Sequence, residues 1–189
     1  RQLAAPFITK HNQGGKGLGV RLFEDLGAFD AYVDGPDFLD DVGGVTLLQQ
    51  YVRPAEPFIT RVEIVDGEPL YALRSSTEAG FELCPAVDCA PGDAFCPVGD
   101  TGRFSLDPTF DRDDPLVRSY VRYLRDQRID LAGIEFVTDA EGRRWTYDVN
   151  GTTNYNQQVE ALHGLDGMGA IAAFAERLLA VHGQRRAAK

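Results

Sequence analysis

The sequence is short of basic charge and of cysteine, and it has no long apolar run. Its 19 Lys and Arg stand against 29 Asp and Glu, a net charge of −10 over 189 residues. That balance repels polyphosphate backbones and argues against general nucleic-acid binding, so any phosphate site must be local. Three cysteines, Cys84, Cys89 and Cys96, are an odd number crowded into one segment, which does not read as a secreted disulfide framework. No stretch approaches the ~18 apolar residues of a membrane span. Arg1 to Ala5 lead straight into a strand-like run, with nothing resembling a signal peptide. No membrane association and a cytoplasmic location are therefore expected. The absence of an initiating Met before that run raises the further expectation that an N-terminal segment has been removed.

What is present suits a globular α+β protein of one domain or two small lobes, at 43% hydrophobic and 25% charged residues. Pro6 to Lys10 and Val20 to Phe23 read as strands joined by a glycine-rich loop, His11 to Gly19. Leu26, Phe29, Tyr32 and Val33 recur at helical spacing, and Val45 to Val52 reads as a buried strand. Phe58 to Val65 and Glu68 to Arg74 flank Asp66-Gly67, a dipeptide suited to a two-residue hairpin turn. If that turn sets the register, Ile59 faces Arg74, and Arg61 and Arg74 project from one face of the ribbon. Residues 84–110 read as a long Cys/Pro-rich loop or insertion. Asp113 or Asp114 then caps a helix with Val117, Tyr120, Val121 and Leu124 inward, its Arg118, Arg122 and Arg125 forming a solvated stripe. Leu131 to Val137 and Arg143 to Asn150 form a second hairpin, and a tail helix carries Ile171, Phe174, Ala175 and Leu178 on one face and stops near Gly183. There is no internal repeat.

Three groups of residues could do chemistry. On the second hairpin, a simple register sets Glu135 opposite Thr146 and diagonal to Asp148, with Asn150 on the same face. Two carboxylates and an amide oxygen are ligands that hard Mg²⁺ accepts, although a solvated polar ribbon face reads equally well. Lys10 and the loop Gly14, Gly15, Lys16, Gly17 could cradle phosphate through backbone N–H groups and lysine charge. That loop is neither a Walker loop, for want of a Ser or Thr after the Lys, nor a dinucleotide fingerprint, since it opens no helix; a plain flexible turn is the alternative. Arg61 and Arg74 offer guanidinium forks suited to a triphosphate, or else surface salt bridges. For the cysteines, zinc would need a fourth ligand such as Asp88 or Asp93 at no common spacing; a local disulfide or plain loop thiols remain alternatives.

The order of these pieces, a lysine-ended strand, glycine-rich hairpin, Gln-bearing strand, Arg-bearing ribbon, then acid and Asp-x-Asn, resembles the ATP-grasp superfamily from about Pro6 to about Leu179. Gly133 to Val137 (GIEFV) and Tyr147 to Asn156 (YDVNGTTNYN) look most like the RimK-like glutamate ligases. The resemblance implies an α+β ATP-grasp fold, two lobes with antiparallel sheets clamping ATP, divided here as 1–52 and 53–189, and lacking the N-terminal domain. It implies ATP and two Mg²⁺ ions, with Mn²⁺ as a substitute, and an ADP-forming carboxylate-amine ligase acting through an acyl phosphate. The partners would be ATP, a small-molecule or peptide carboxylate and an amine acceptor, with oligomerisation left open. Lys10 would meet the α-phosphate and adenine side, Gly14 to Gly19 with Lys16 would close over the phosphates, and the backbone of Gln49, Gln50, Tyr51 and Val52 would read the adenine edge. The family has Gln-Glu where Gln49-Gln50 stands; Glu56 matches a second ribose-binding acid. Arg74, with Arg61, would hold the γ-phosphate, Glu135, Asp148 and Asn150 the metals, and Asn154 and Asn156 would approach substrate unless they cap a helix. His11 and His163 need no role, since metal and arginine neutralise the developing charge. The alternatives are a nucleotide-binding module inactive as this fragment, or a phosphotransferase on the same scaffold.

Overall fold

The computed structural model describes residues 3–12, 17, 19–38, 43–78, 80, 103–151 and 155–187. They fall into two compact units, one drawn from Arg1–Pro57, Thr77–Pro97 and Thr138–Arg143, the other from Phe58–Ser76, Val98–Val137 and Arg144–Lys189.

The first unit holds a three-stranded antiparallel sheet and one helix. Strand β1 (Phe7–His11) lies between β2 (Arg21–Phe23) and β3 (Thr46–Gln50), and α1 (Leu26–Val33) follows β2. Asp25 caps α1 by accepting from the Ala28 N–H at 2.8 Å, as a short polar side chain does at a helix start. The core here is aromatic: Phe7, Phe23 and Phe29 meet with centroids 5.3 to 5.7 Å apart, and Tyr32 extends the cluster from Phe23 at 5.4 Å. The expected buried strand at 45–52 is corrected. Val45, Leu47 and Leu48 are 46%, 37% and 48% exposed, because β3 is an edge strand and the aromatic core forms on β1, β2 and α1 instead.

The second unit is a five-stranded antiparallel sheet in the order β6-β5-β4-β7-β8, with β4 (Phe58–Val65), β5 (Glu68–Ser76), β6 (Phe104–Leu106), β7 (Leu131–Thr138) and β8 (Arg144–Asn150). The β4–β5 turn uses Asp66 and Gly67 at φ 53° and 76°, the two left-handed positions that the dipeptide predicts. The register does not follow from the turn alone. Val65 pairs with Glu68, but an irregularity between Glu63 and Ile64 shifts the rest, so Arg61 pairs with Leu73 and Thr60 with Arg74. A one-residue slip moves every later side chain to the other face. Arg61 and Arg74 therefore lie on opposite faces, contrary to the expectation.

Helix α2 (Pro115–Gln127) covers one face. Val117, Tyr120 and Leu124 pack on Val62, Ile64, Ala72, Ala132, Ile134 and Phe136. Asp114 is its cap, and Arg118 donates to Asp113 on the surface. The opposite face carries Tyr71 and Leu73 under Val159 of α3 (Gln157–His163). Residues 104–106, expected in a loop, form β6 on the edge of β5; Cys84, Cys89 and Cys96 lie outside the described residues. The last helix, α4 (Gly167–Ala187), runs through Gly183 rather than stopping there. A glycine ends a helix only where the chain turns left-handed, and Gln184 to Ala187 are good helix formers. Among the described residues no helix is long and apolar enough to cross a membrane.

Candidate functional site

On the sheet face away from α2, Arg61 is built into the strands. Its Nε donates to Glu63 Oε1 at 2.6 Å and its Nη1 to Glu135 Oε1 at 2.8 Å, while the Tyr147 hydroxyl donates to Glu135 Oε2 at 2.8 Å. Residues i and i+2 of a strand share a face, which aligns Glu63 with Arg61; pairing of β4 with β7 sets Glu135 beside Arg61 and Gly133 beside Glu63. The guanidinium lies across Gly133, where an added methyl group would collide with it. Glu63 is fully buried and Glu135 is 7% exposed. Burial holds the Glu63 carboxyl above its ordinary value against the lowering pull of Arg61. Burial also works to lower the Arg61 guanidinium, but Glu63 and Glu135 outweigh it and hold that group charged. Burial, with Glu135 adjacent, pushes the Tyr147 hydroxyl up, so it stays a donor. Further along, Tyr71 donates to Glu160 at 2.6 Å, and Glu160 also takes the Gly167 N–H at 2.8 Å, tying β5 to the start of α4.

Arg74 is engaged elsewhere. Its Nε and Nη2 donate to Asp107 Oδ1 at 3.1 and 2.9 Å, the Thr109 N–H and hydroxyl bind the same oxygen at 3.0 and 2.7 Å, and the Phe58 ring lies 4.5 Å from its guanidinium carbon. This is a clasp on the turn after β6.

The second hairpin also closes one residue away from the expected register. The Asp139 N–H donates to the Arg143 carbonyl at 3.0 Å, which sets Tyr147 rather than Thr146 opposite Glu135. Thr146 instead meets the Tyr120 hydroxyl of α2 at 2.6 Å, on the other face. Asp148 and Asn150 are brought together, Nδ2 donating to Oδ2 at 3.1 Å, and both are half-buried. The trio is thus a pair plus one separately held acid. As a donor set, the Asp148 carboxylate and the Asn150 amide oxygen fit a hard divalent cation. Glu135 has both oxygens engaged, by Arg61 and Tyr147, and with Tyr147 opposite it the alternation of side chains sets it on the face away from Asp148 and Asn150, contrary to the expected trio.

In the first unit, Lys10 is half-buried and pairs with Leu47; Gln49 pairs with Ile8 and Gln50 with Phe7. The Tyr51 N–H donates to the Pro6 carbonyl at 3.1 Å, Val52 is half-buried and Glu56 is exposed. Gly17 sits at φ 74°, and Gly14, Gly15 and Lys16 lie outside the described residues, as does Asn154. Asn156 caps α3 through the Val159 N–H at 3.0 Å. Sequence reasoning missed Glu63, although the Arg61-x-Glu63 spacing in a strand already aligned the two; nothing local in the sequence signals Tyr71 or Glu160.

No protein-family model matches the sequence, and no curated protein matches it. Solved structures do. The chain is similar to the D-cycloserine synthetase DcsG at 18% identity and TM-score 0.58, covering 91% of this chain and 55% of that one. It is similar to a RimK-domain ATP-grasp protein from Sphaerobacter thermophilus at 18% identity and TM-score 0.58, covering 90% and 53%. It is also similar to the ATP-grasp ligase PsnB complexed with a minimal precursor, Mg and ADP, at 18% identity and TM-score 0.56, covering 90% and 46%. The two antiparallel sheets with their helices are those of the ATP-grasp fold. The chain spans about half the length of these relatives.

Proposed function

We propose that this chain is the nucleotide-handling part of an ATP- and Mg²⁺-dependent carboxylate-amine ligase of the glutamate-ligase-like kind, forming ADP and acting in the cytoplasm. The observation that supports this reading most is the Asp148–Asn150 pair on the β8 strand of an ATP-grasp sheet, a carboxylate and an amide 3.1 Å apart and half-buried.

In this reading Lys10, Gly14, Gly15, Lys16 and Gly17 bind the phosphates, the backbone of Gln49, Gln50, Tyr51 and Val52 receives the adenine, and Glu56 takes ribose hydroxyls. Arg61 carries the γ-phosphate role, and Arg74, clasping Asp107, braces the sheet. Asp148 and Asn150 would hold Mg²⁺, which when bound neutralises phosphate charge, while Glu135 stays with Arg61. A substrate carboxylate oxygen attacks the γ-phosphorus and the bond to ADP breaks, giving an acyl phosphate. An amine nitrogen then attacks the acyl carbon, loses a proton, and expels phosphate as the amide forms. Arg61 serves both steps by meeting charge as it develops on the phosphoryl oxygens.

The test is ADP release from Mg-ATP across a panel of amino acids and peptides. One carboxylate and amine combination should release ADP with an amide product, and Asp148→Ala should lower that rate by a hundredfold or so. Undiminished turnover in Asp148→Ala would refute the site. A stable phosphorylated product would identify a phosphotransferase, and Mg-ATP binding without turnover a binding module.

A further inference from the structure

Glu63 has no part in the roles above, and its chemistry is hard to explain as packing. It is fully buried in the middle of β4, one oxygen engaged by Arg61 and the other, Oε2, with no hydrogen-bond partner among the described residues. A buried carboxylate with an unmet oxygen is destabilising, and an apolar side chain of similar size would fill such a position better. The cross-strand neighbour able to donate, the Tyr71 hydroxyl, is committed to Glu160. What Glu63 does accomplish is geometric. An Arg side chain has several rotatable bonds, and a carboxylate on its Nε fixes the plane of the guanidinium. With Nε on Glu63 and Nη1 on Glu135, the fork is pinned flat over Gly133, at 17% side-chain exposure.

We propose that Glu63 is the positioning residue for Arg61: it sets the guanidinium plane so that Arg61 can read a terminal phosphoryl group. This inference rests on the ligase reading. Without Glu63, Arg61 would keep its charge but swing about the single bond to Glu135, losing geometry rather than attraction.

Two readouts test it on the chain as it stands. The first is the ratio of ADP to ATP dissociation constants in excess Mg²⁺, since only ATP carries the group that Arg61 would meet. Glu63→Leu should reduce that ratio by roughly tenfold, leaving ADP affinity within about threefold, while Glu63→Gln, whose amide oxygen still accepts from Nε, should restore most of it. The second is the Arg61 Nε–H resonance in protein labelled with ¹⁵N-arginine, identified by its loss in Arg61→Lys. It should exchange slowly in wild type and Glu63→Gln, and merge with the exposed arginines in Glu63→Leu. Glu63→Met, unbranched and of similar length, repeats both if the Leu variant does not fold. An unchanged Nε–H signal in the apolar variant overturns the proposal whether or not nucleotide binds, and so does an unchanged ADP/ATP ratio in protein that binds both. A wild type that binds neither nucleotide overturns the ligase reading and the phosphoryl-reading role with it, leaving the resonance to report the Glu63–Arg61 contact alone.

Discussion

Gly133 has no side chain where Arg61 needs the space. The nearest atoms to an added Cβ belong to the guanidinium, which is flexible at its far end but tethered to Glu63 and Glu135. Gly133→Ala must therefore evict it from at least one buried acid. A denaturant melt should show a loss of about 1–3 kcal/mol, the usual cost of leaving a buried charged acceptor unmet; an unchanged midpoint would mean that Arg61 has another resting place. The sequence made Arg61, Glu135, Asp148 and Asn150 visible as polar residues in apolar strands. It could not show their partners, because each partner depends on a register set by hydrogen bonds elsewhere in the hairpin.

Both ribbons teach that lesson at the scale of elements. Asp66-Gly67 specified its own turn, and the shift beside Glu63 and Ile64 then moved Arg74 to the face opposite Arg61. At the second hairpin, closure at Asp139 and Arg143 set Tyr147 against Glu135 where a one-residue alternative would have set Thr146. Helices were more legible, since caps and apolar spacing are local. Asp114 accepts from the Leu116 N–H at 2.7 Å and from Arg144 at 2.9 Å, and the Arg144 hydrogen bond is the main cause of its lowered carboxyl. A carboxyl lowered on folding contributes stability that is present above its unfolded value and is lost as pH falls through the folded one. Asp114→Ala should cost about 1 kcal/mol at neutral pH and less in acid, read from melts across pH; a loss that grew in acid would contradict this. The tail helix continues through Gly183, where an added Cβ meets nothing within 4 Å. Gly183→Ala should accordingly stabilise α4 by about 0.5–1 kcal/mol, measured as a raised melting temperature, and a lowered one would show a packing role for that glycine.

At the scale of the whole molecule, the order of the strands and helices was readable as that of an ATP-grasp fold, the fold of the solved structures to which the chain is similar at 18% identity. The exposed β3 was not readable, since apolar composition alone does not say which strand is an edge. The net charge of −10 makes any polyphosphate site depend on a few placed cations and on metal, since the chain as a whole repels the ligand. That dependence can be measured directly by titrating ATP into wild-type protein and Asp148→Ala, each with Mg²⁺ and with EDTA. The account predicts that wild type binds ATP with Mg²⁺ and at least tenfold more weakly in EDTA, and that Asp148→Ala loses most of the difference. Wild-type binding that ignores Mg²⁺, or no binding in its presence, would contradict it.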